Sequence, residues 1–403
     1  MSKRILKREL AMPKFQRQTL LIAGAGAMIA SLLYLTAPHF AVREDVIVRQ
    51  GAAAAENLPS RLSDEEFWRM ASGFSEPGGY FRSDNFLSNE QTYQHVIPAV
   101  KRNVPLGGVY LGVGPEQNFT YMVALEPKMA FIIDIRRQNM VEHLLYKSLM
   151  ELSADRAEFL SRLFSRPRPA GLNARSSPET LYRTYQAAEE STSLFNRNLR
   201  EVWSHLIKTH QFQLSADDEK SIRYVYNAFF ESGPDMSYVF MGSLGGGWGM
   251  PTYGDLMTAT DRLGRNWSFL ATEEQFQFVQ RLQKNNLIIP LVGDFAGQKA
   301  VRSVGRYLRE HNAVLTTFYT SNVEQYLFQQ EDDWQRFYAN VATLPLDSTS
   351  TFIRFVLNGR GGFGFGRTFG SRSSSVSCRI NDVLKALNAG KIRGYYDVVE
   401  MSR

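Results

Sequence analysis

This chain of 403 residues contains a single cysteine and lacks the short sequence motifs of common hydrolases and nucleotidases. The only cysteine is Cys378, so no intramolecular disulfide can form, and no cysteine follows the N-terminal hydrophobic run to carry a lipid. Neither a G-x-S-x-G nucleophile turn nor a phosphate-loop lysine pattern is present. These absences exclude the commonest serine hydrolases and phosphate-loop nucleotidases.

Histidine is also rare, with six residues in the whole chain. His205 and His210 are five residues apart, and in an α-helix this spacing places two side chains on different faces. The remaining histidines that fall on helical patterns have no second histidine or cysteine at a metal-ligand spacing. We therefore expect no metal site. These isolated histidines are His95, His143 and His311.

Excess charge is confined to the N-terminus, although the chain as a whole has a net charge of +6. Residues 1–43 hold seven of the 46 basic residues and one of the 40 acidic residues, so the rest of the chain carries 39 of each. A neutral domain lacks the positive field that attracts phosphate backbones. We therefore expect no nucleic-acid partner.

The N-terminus has the layout of a signal anchor or a signal peptide. Residues 1–18 are basic, and residues 19–42 contain no formally charged side chain over a length that can span a bilayer. Ala37, Phe40 and Ala41 make a poor cleavage site, which favours an uncleaved anchor with the domain outside the cytoplasm. A cleaved signal, giving a secreted or periplasmic protein, and a buried core helix are the alternatives.

Composition and periodicity divide the rest of the chain. Residues 43–61 read as a linker because Gln50–Arg61 is small, polar and interrupted by proline. The predicted domain then has a first part over residues 62–154, a mainly helical insertion over 155–285 and a second part over 286–403. Residues 358–377 are rich in glycine, serine and arginine, which favours a mobile surface loop over an RNA-binding tract.

Short apolar runs alternate with helical patterns in both parts of this domain. Gly108–Val113 and Met129–Ile135 have the length of buried parallel strands, and Leu287–Val292 and Ala313–Tyr319 repeat the pattern later. Helix starts are expected at the capping pairs Ser63/Glu66, Ser88/Gln91 and Thr272/Gln275, and helices over 298–311 and 323–340. Thr351–Leu357 and Tyr395–Val399 are expected as last strands, in an antiparallel edge pair. The alternation predicts a doubly wound, mainly parallel α/β sheet.

In such a sheet, ligands bind beyond the carboxyl ends of the strands, where glycines permit close backbone approach and an acid after the second strand binds ribose. Gly112 and Gly114 follow the first predicted strand, and Asp134 ends the second, 22 residues after Gly112. Alternatives remain open: the glycines can form a tight turn without a ligand, and Asp134 with the arginines that follow it can lie in a solvated loop or form an internal ion pair.

The stretches YLGVGPEQN and FIIDIRRQN resemble the first two motifs of class I S-adenosylmethionine-dependent methyltransferases, and the upstream DNFLSN resembles a segment that precedes them in some members. The combination of SNEQTYQHVIPA, GVGPEQNFTY, DIRRQN, LVGDFAG and SNVEQYL is similar to a bacterial family with a methyltransferase-like, Rossmann-like core that often carries a secretion or anchor segment. The resemblance spans roughly residues 63–400 and implies a fold more than a reaction.

The resemblance also implies roles for individual residues. Gly112 and Gly114 would shape the turn under the ligand, and Asp134 would accept hydrogen bonds from ribose. Asp294 and Phe295 fall where these enzymes place adenine or substrate contacts. Further side chains are expected to face the cleft, with S-adenosylmethionine as its possible cofactor. They are Asn85, Asn118, Asn322 and Glu324.

Two departures from the methyltransferase pattern bear on this cofactor. Tyr110 stands where an acid is usual, and Glu116 stands where the third glycine is usual. We expect the charge of Glu116 beside the cofactor position to oppose the methionine carboxylate. A domain outside the cytoplasm would also lack a supply of S-adenosylmethionine. Two functions remain open: a degenerate cleft that binds a small molecule or a partner in the cell envelope, and a methyltransferase.

The location of the domain can be tested with two reporter enzymes fused after Arg403. Because basic residues precede the uncharged run, we expect a reporter that works only outside the cytoplasm to be active and a cytoplasmic reporter to be silent. Alkaline carbonate washing should leave the anchored protein in the bacterial membrane, whereas a cleaved signal would release it. An active cytoplasmic reporter would contradict this orientation.

Overall fold

A six-stranded sheet forms the centre of the protein in a computed structural model that describes residues 55, 57–238, 250–357 and 373–402. The expected apolar runs form its first five strands. In chain order the strands are β1 Val109–Gly112, β2 Met129–Asp134, β3 Ile288–Val292, β4 Leu315–Ser321, β5 Thr351–Leu357 and β6 Ser373–Arg379.

The strands lie in the order β3-β2-β1-β4-β5-β6. Strand β1 is parallel to both β2 and β4, with Val109 opposite Met129 on one side and Leu315 on the other. The predicted parallel adjacency of the first two strands is therefore confirmed. The chain extends the sheet from β1 to β3 and then returns to the other side of β1 to place β4. The protein is thus a mixed α/β protein with a mostly parallel sheet.

Helices pack against this sheet, and those from α4 Arg137–Glu151 to α10 Glu273–Lys284 lie between β2 and β3 in the chain, where a helical pattern was expected. Helices α1 Asp64–Gly73 and α4 pack against β3, and α11 Ala300–Glu310 packs against β2. The helices are α1 Asp64–Gly73, α2 Ile97–Asn103, α3 Gln117–Leu125, α4 Arg137–Glu151, α5 Arg156–Phe164, α6 Pro178–Ala187, α7 Thr192–Ser204, α8 Ala216–Ser232, α9 Tyr253–Thr258, α10 Glu273–Lys284, α11 Ala300–Glu310, α12 Val323–Leu327, α13 Asp333–Val341, α14 Ile380–Asn388 and α15 Tyr395–Glu400.

Buried strands and capped helices explain most of these elements. All six residues of β2 are buried, as an apolar run in the middle of a parallel sheet requires. The predicted caps at Ser63 and Thr272 are confirmed, because each hydroxyl accepts the backbone N–H three residues on.

The predicted cap at Ser88 is wrong. Its hydroxyl accepts the N–H of Glu90 in a local turn, and α2 begins only after a 3-10 turn over Tyr93–Val96. The expected helix over 323–340 is interrupted and forms α12 and α13.

The last expected strand, Tyr395–Val399, is also wrong, because these residues form α15. The carboxylate of Asp397 accepts the N–H groups of Arg393 and Gly394 and caps the first helical turn, which an apolar pattern alone does not reveal. The expected antiparallel edge pair exists, but β6 is the partner of β5. Part of the serine-rich tract predicted as a loop thus forms a strand, and residues 358–372 lie outside the described residues.

His205 and His210 lie side by side, contrary to the expectation that they occupy different faces. The segment His205–Thr209 is π-helical, and the N–H of His210 donates to the carbonyl of His205 at 3.0 Å. This wider turn brings residues five apart into register, and the ring centroids are 4.6 Å apart. An α-helical spacing rule does not apply to this segment.

The expected membrane segment over residues 19–42 lies outside the described residues. Within the described ranges, we find no helix that combines the length and apolar character needed to cross a bilayer. The packed part of the chain begins slightly before the expected Leu62, since Ala55 and Leu58 are already buried in the core.

Candidate functional site

A cavity of about 350 Å³ lies beyond the carboxyl ends of β1 to β5. It spans the place where the strand order reverses, which is where open α/β sheets bind their ligands. Its volume falls within the range of small-molecule sites. The lining comes from the residues after each strand and from a segment that precedes α2. That segment supplies Tyr80, Phe81, Asn85 and Leu87 to Gln91.

The loop between β1 and α3 is fixed by the side-chain amide of Asn118. Its Nδ2 donates to the carbonyls of Val113, Gly114 and Pro115, at 2.9, 3.1 and 2.7 Å. Its Oδ1 accepts from the hydroxyl of Tyr110 at 2.8 Å. Asn118 was expected to face the cleft, but it is buried beneath the loop and holds it in place.

The two predicted glycines play different parts in this loop. A Cβ on Gly112 would lie 2.0 Å from Asn118 Oδ1, so glycine is required to let the amide approach. Gly114 has a φ of 78°, a left-handed conformation that glycine adopts without strain, and it lines the cavity. Gly114 therefore lies where a ligand contact was expected, whereas Gly112 supports the loop from below.

Glu116 does not present a charge to the cavity, which corrects the sequence-based expectation. Its side chain is fully buried at the start of α3, where Oε1 accepts the N–H of Ser88 at 3.2 Å. Burial raises the pKa of Glu116 to about 8, so the carboxyl is mainly neutral at pH 7. The expected repulsion of a ligand carboxylate by Glu116 therefore loses its basis.

Asp134 lines the cavity, but Arg136 binds its carboxylate. The guanidinium contacts both oxygens, with Nε–Oδ1 at 3.0 Å and Nη2–Oδ2 at 3.1 Å. Its remaining nitrogen donates to the carbonyls of Ser83 and Asp84. The internal ion pair weighed as an alternative is present, and a ribose would have to share Asp134 with it.

Of the residues near the ends of β3 and β4 that were predicted to face the cleft, some line the cavity and one does not. Asp294, Phe295 and Asn322 line the cavity, and the ring of Phe295 packs 5.1 Å from that of Phe318. Glu324 does not line it. This carboxylate is buried in an ion pair with Arg354, so its role is in packing and not in the cleft.

Glu90 is the functional candidate that sequence reasoning missed. It lines the cavity, is 1% exposed, and accepts hydrogen bonds at Oε1 from Tyr319 Oη at 2.6 Å and from Ser321 Oγ at 2.5 Å. Burial raises the pKa of Glu90 to about 7, which lets it donate or accept a proton near neutral pH. Although Glu90 lies in the SNEQ motif, a glutamate in a polar loop is ordinarily solvated and gives no signal.

Three buried oxygens on the cavity lining have no hydrogen-bond partner among the described residues. They are Oδ1 of Asn85, Oε2 of Glu90 and Oε1 of Gln117. The amide of Gln117 is oriented by its Nε2, which donates to the hydroxyl of Tyr319 at 2.9 Å. Buried acceptors are nearly always paired, so these atoms favour a ligand that brings N–H or O–H donors.

The charge of the lining is predominantly acidic. Among its described residues, Arg136 is the sole basic side chain, and Asp134 already pairs with it. Asp294 and Asp333 add carboxylates on the β3 and α13 side. The nearby start of α11, a potential anion site, is filled by Glu76, whose Oε1 accepts the N–H of Ala300 at 2.8 Å. Phosphorylated ligands therefore find no free cation here.

These features define the protein as a mixed α/β protein with an acceptor-rich cavity at the carboxyl edge of its sheet. The chain belongs to the protein family described as a domain of unknown function, DUF7790, whose model matches residues 85–393. The matched residues include all six strands and the cavity lining from Asn85 onward. No curated protein matches the sequence.

Glu90 should make the folding stability depend on pH. Its pKa is raised from 4.5 to about 7, so the unfolded chain loses this proton first as the pH rises. The free energy of unfolding should therefore fall between about pH 4.5 and pH 7, and Glu90→Gln should remove this contribution. From pH 5 to pH 8 we expect Glu90→Gln to gain roughly 2 to 3 kcal/mol relative to the unchanged protein in urea unfolding. Glu65→Gln, on the exposed side of α1, is the control; an equal gain in both variants would contradict the assignment.

Proposed function

We propose that this protein binds a small, neutral or cationic organic molecule in the cavity at the carboxyl edge of the sheet. The observation that carries the proposal is a set of three buried, unpartnered oxygens on the lining. Asn85 Oδ1 and Gln117 Oε1 are acceptors, and Glu90 Oε2 accepts a hydrogen bond when the carboxyl is ionised and donates one when it is neutral. Leaving such an atom unpaired costs about 1 to 3 kcal/mol, and a ligand with hydroxyl or amine groups would recover part of this cost. The ligand class is therefore one rich in hydrogen-bond donors.

The charges of the cavity lining restrict the class of ligand further. The lining carries Glu90 and Asp294, whereas Asp333 is paired with Arg336 and Asp134 with Arg136. Placing a ligand phosphate or carboxylate beside Glu90 and Asp294 would require desolvation without a free counter-charge on the lining. Dinucleotides and nucleoside phosphates therefore fit the cavity poorly, and amines, polyols and uncharged nucleosides fit it well.

We also propose that the sheet belongs to a doubly wound, Rossmann-like domain. The strand order, with β1 at the reversal point, supports a doubly wound, Rossmann-like and methyltransferase-like domain with a helical insertion between β2 and β3. The basic residues 1–18 and the uncharged residues 19–42 support an anchor in the bacterial cell membrane, with the domain outside the cytoplasm. In this setting the cavity would serve as a binding site of the cell envelope.

S-adenosylmethionine-dependent methyl transfer is the second candidate. Gly114 and Asp134 lie on the cavity where the motif resemblance expects them, and a sulfonium cation suits an acidic lining. In this version Gly114 and Asp134 would hold the cofactor, which would supply the methyl group and leave as S-adenosylhomocysteine, and Glu90 in its ionised form would accept the proton that the substrate oxygen or nitrogen loses. The bidentate hold of Arg136 on Asp134 counts against it.

Binding can be measured by thermal melting of the full chain in mild detergent, with a panel of compounds of similar size and graded charge. We expect stabilisation by neutral and cationic compounds that carry donors, and none by their phosphorylated counterparts. Gln117→Met keeps the shape of the side chain but removes the free acceptor, so it should weaken binding about tenfold. Gln277→Met, on the exposed side of α10, is the matched control. Stabilisation mainly by phosphorylated compounds would contradict the proposal.

Calorimetric titration with S-adenosylmethionine and S-adenosylhomocysteine separates the two candidates. Heat with both compounds that is lost in Gln117→Met and retained in Gln277→Met would favour the methyltransferase. Absence of heat with both compounds would eliminate the methyltransferase and leave binding of another donor-rich molecule. Glu116→Gly should leave the charge of the cavity unchanged at pH 7, because Glu116 is buried and mainly neutral at this pH.

A further inference from the structure

Two histidines and a glutamate converge at the end of the π-helical segment, away from the cavity. Glu151 Oε2 lies 2.7 Å from His205 Nε2 and 2.7 Å from His210 Nε2, and the two histidine nitrogens lie 3.2 Å apart. Three ligand atoms of types that bind transition metals therefore lie within a few ångströms of each other. The side chains are mostly buried, with His205 the most exposed at 17%.

The backbone is shaped to produce this convergence. In an α-helix, residues five apart diverge, but the π-helical turn over His205–Thr209 aligns the rings of His205 and His210, the residue that follows it. Single π turns occur frequently at functional sites. Glu151 ends α4, so the ligand atoms come from two segments that are distant in sequence.

The surroundings match the second layer of contacts of a metal site. His210 Nδ1 lies 2.7 Å from Asp64 Oδ1, which fixes the ring with Nε2 toward Glu151. Asp64 in turn accepts from Asn286 Nδ2 at 2.8 Å, and Lys147 Nζ lies 2.6 Å from the other oxygen of Glu151. Carboxylate-supported histidine is the usual arrangement in zinc sites, since it orients the ring and raises its basicity.

We propose that Glu151, His205 and His210 bind a divalent transition-metal ion, for which Zn²⁺ is the best match. Ligand atoms about 2.0 to 2.1 Å from a tetrahedral zinc ion lie roughly 3.3 Å from each other. The histidine pair already has nearly this separation, and Glu151 would need to withdraw by about half an ångström. Three protein ligands leave the fourth position to water, and the partial exposure of His205 gives access to it.

This site is separate from the proposed ligand cavity. Arg136, on the cavity lining, directly precedes α4, whereas Glu151 is at the far end of that helix of 15 residues. A helix of this length spans roughly 22 Å. The metal would join α4 to the segment that follows α7, and Asp64 would link it to α1. Its loss should therefore affect this region first and leave the cavity intact.

Titration of the metal-free full chain with Zn²⁺ tests the proposal. We expect one ion per chain with a dissociation constant below about 1 µM, and Mg²⁺ in excess should not compete because imidazole ligands favour zinc. His205→Ala should weaken binding by more than about 100-fold. Asp64→Asn, which keeps all three ligands, should weaken it by about 10- to 100-fold. His311→Ala is the matched control, because the side-chain hydrogen bond and the ring contact of His311 are both with Tyr307 and involve none of the proposed ligands.

Circular dichroism of each variant separates loss of the ligand from loss of the fold. With Co²⁺ in place of Zn²⁺, the visible absorption of a tetrahedral site should appear in the unchanged protein and in His311→Ala and be absent in His205→Ala. Failure of the unchanged protein to bind Zn²⁺ would overturn the proposal. Binding that His205→Ala and Asp64→Asn leave as tight as in His311→Ala would also overturn it.

Discussion

The side-chain amide of Asn118 is the contact on which the shape of the site depends. It donates to three successive carbonyls of the loop after β1 and accepts from Tyr110, so one residue replaces the regular hydrogen bonding that this loop lacks. The amide of Asn118 occupies the space that a side chain at position 112 would need, so only glycine fits there. The loop is therefore held rigidly at the edge where the sheet reverses its strand order.

The fixed loop positions part of the hydrogen-bonding lining of the cavity. Gln117 follows the loop, and its amide reaches Tyr319, which donates to Glu90. This chain of hydrogen bonds uses the donors within the protein and leaves acceptors on the lining. The cavity also lacks a free basic side chain among its described residues, which supports the proposed preference for donor-bearing neutral or cationic molecules over anions.

Apolar runs predicted the parallel strands because the residues of β1 to β4 are nearly all buried, and the runs are too short for typical helices. The apolar pattern gave a wrong prediction at α15, where a strand was expected. There Asp397 accepts the N–H of Gly394 and caps a helix instead. Gly114 and Asp134, which the sequence predicted to contact a ligand, line the cavity. Sequence reasoning missed Glu90 because its raised pKa arises from burial by segments distant in the chain. It missed the proximity of His205 and His210 because a π turn has no recognisable periodicity in the sequence.

The central claim is that unpaired acceptors of the cavity hold a donor-rich ligand, and a crystal structure of the chain with the best-binding compound tests it most directly. We predict ligand density beyond the carboxyl ends of β1 and β4, with donor atoms within hydrogen-bond distance of Asn85, Glu90 and Gln117. A ligand bound elsewhere, or one that presents an anionic group to Glu90, would contradict the claim.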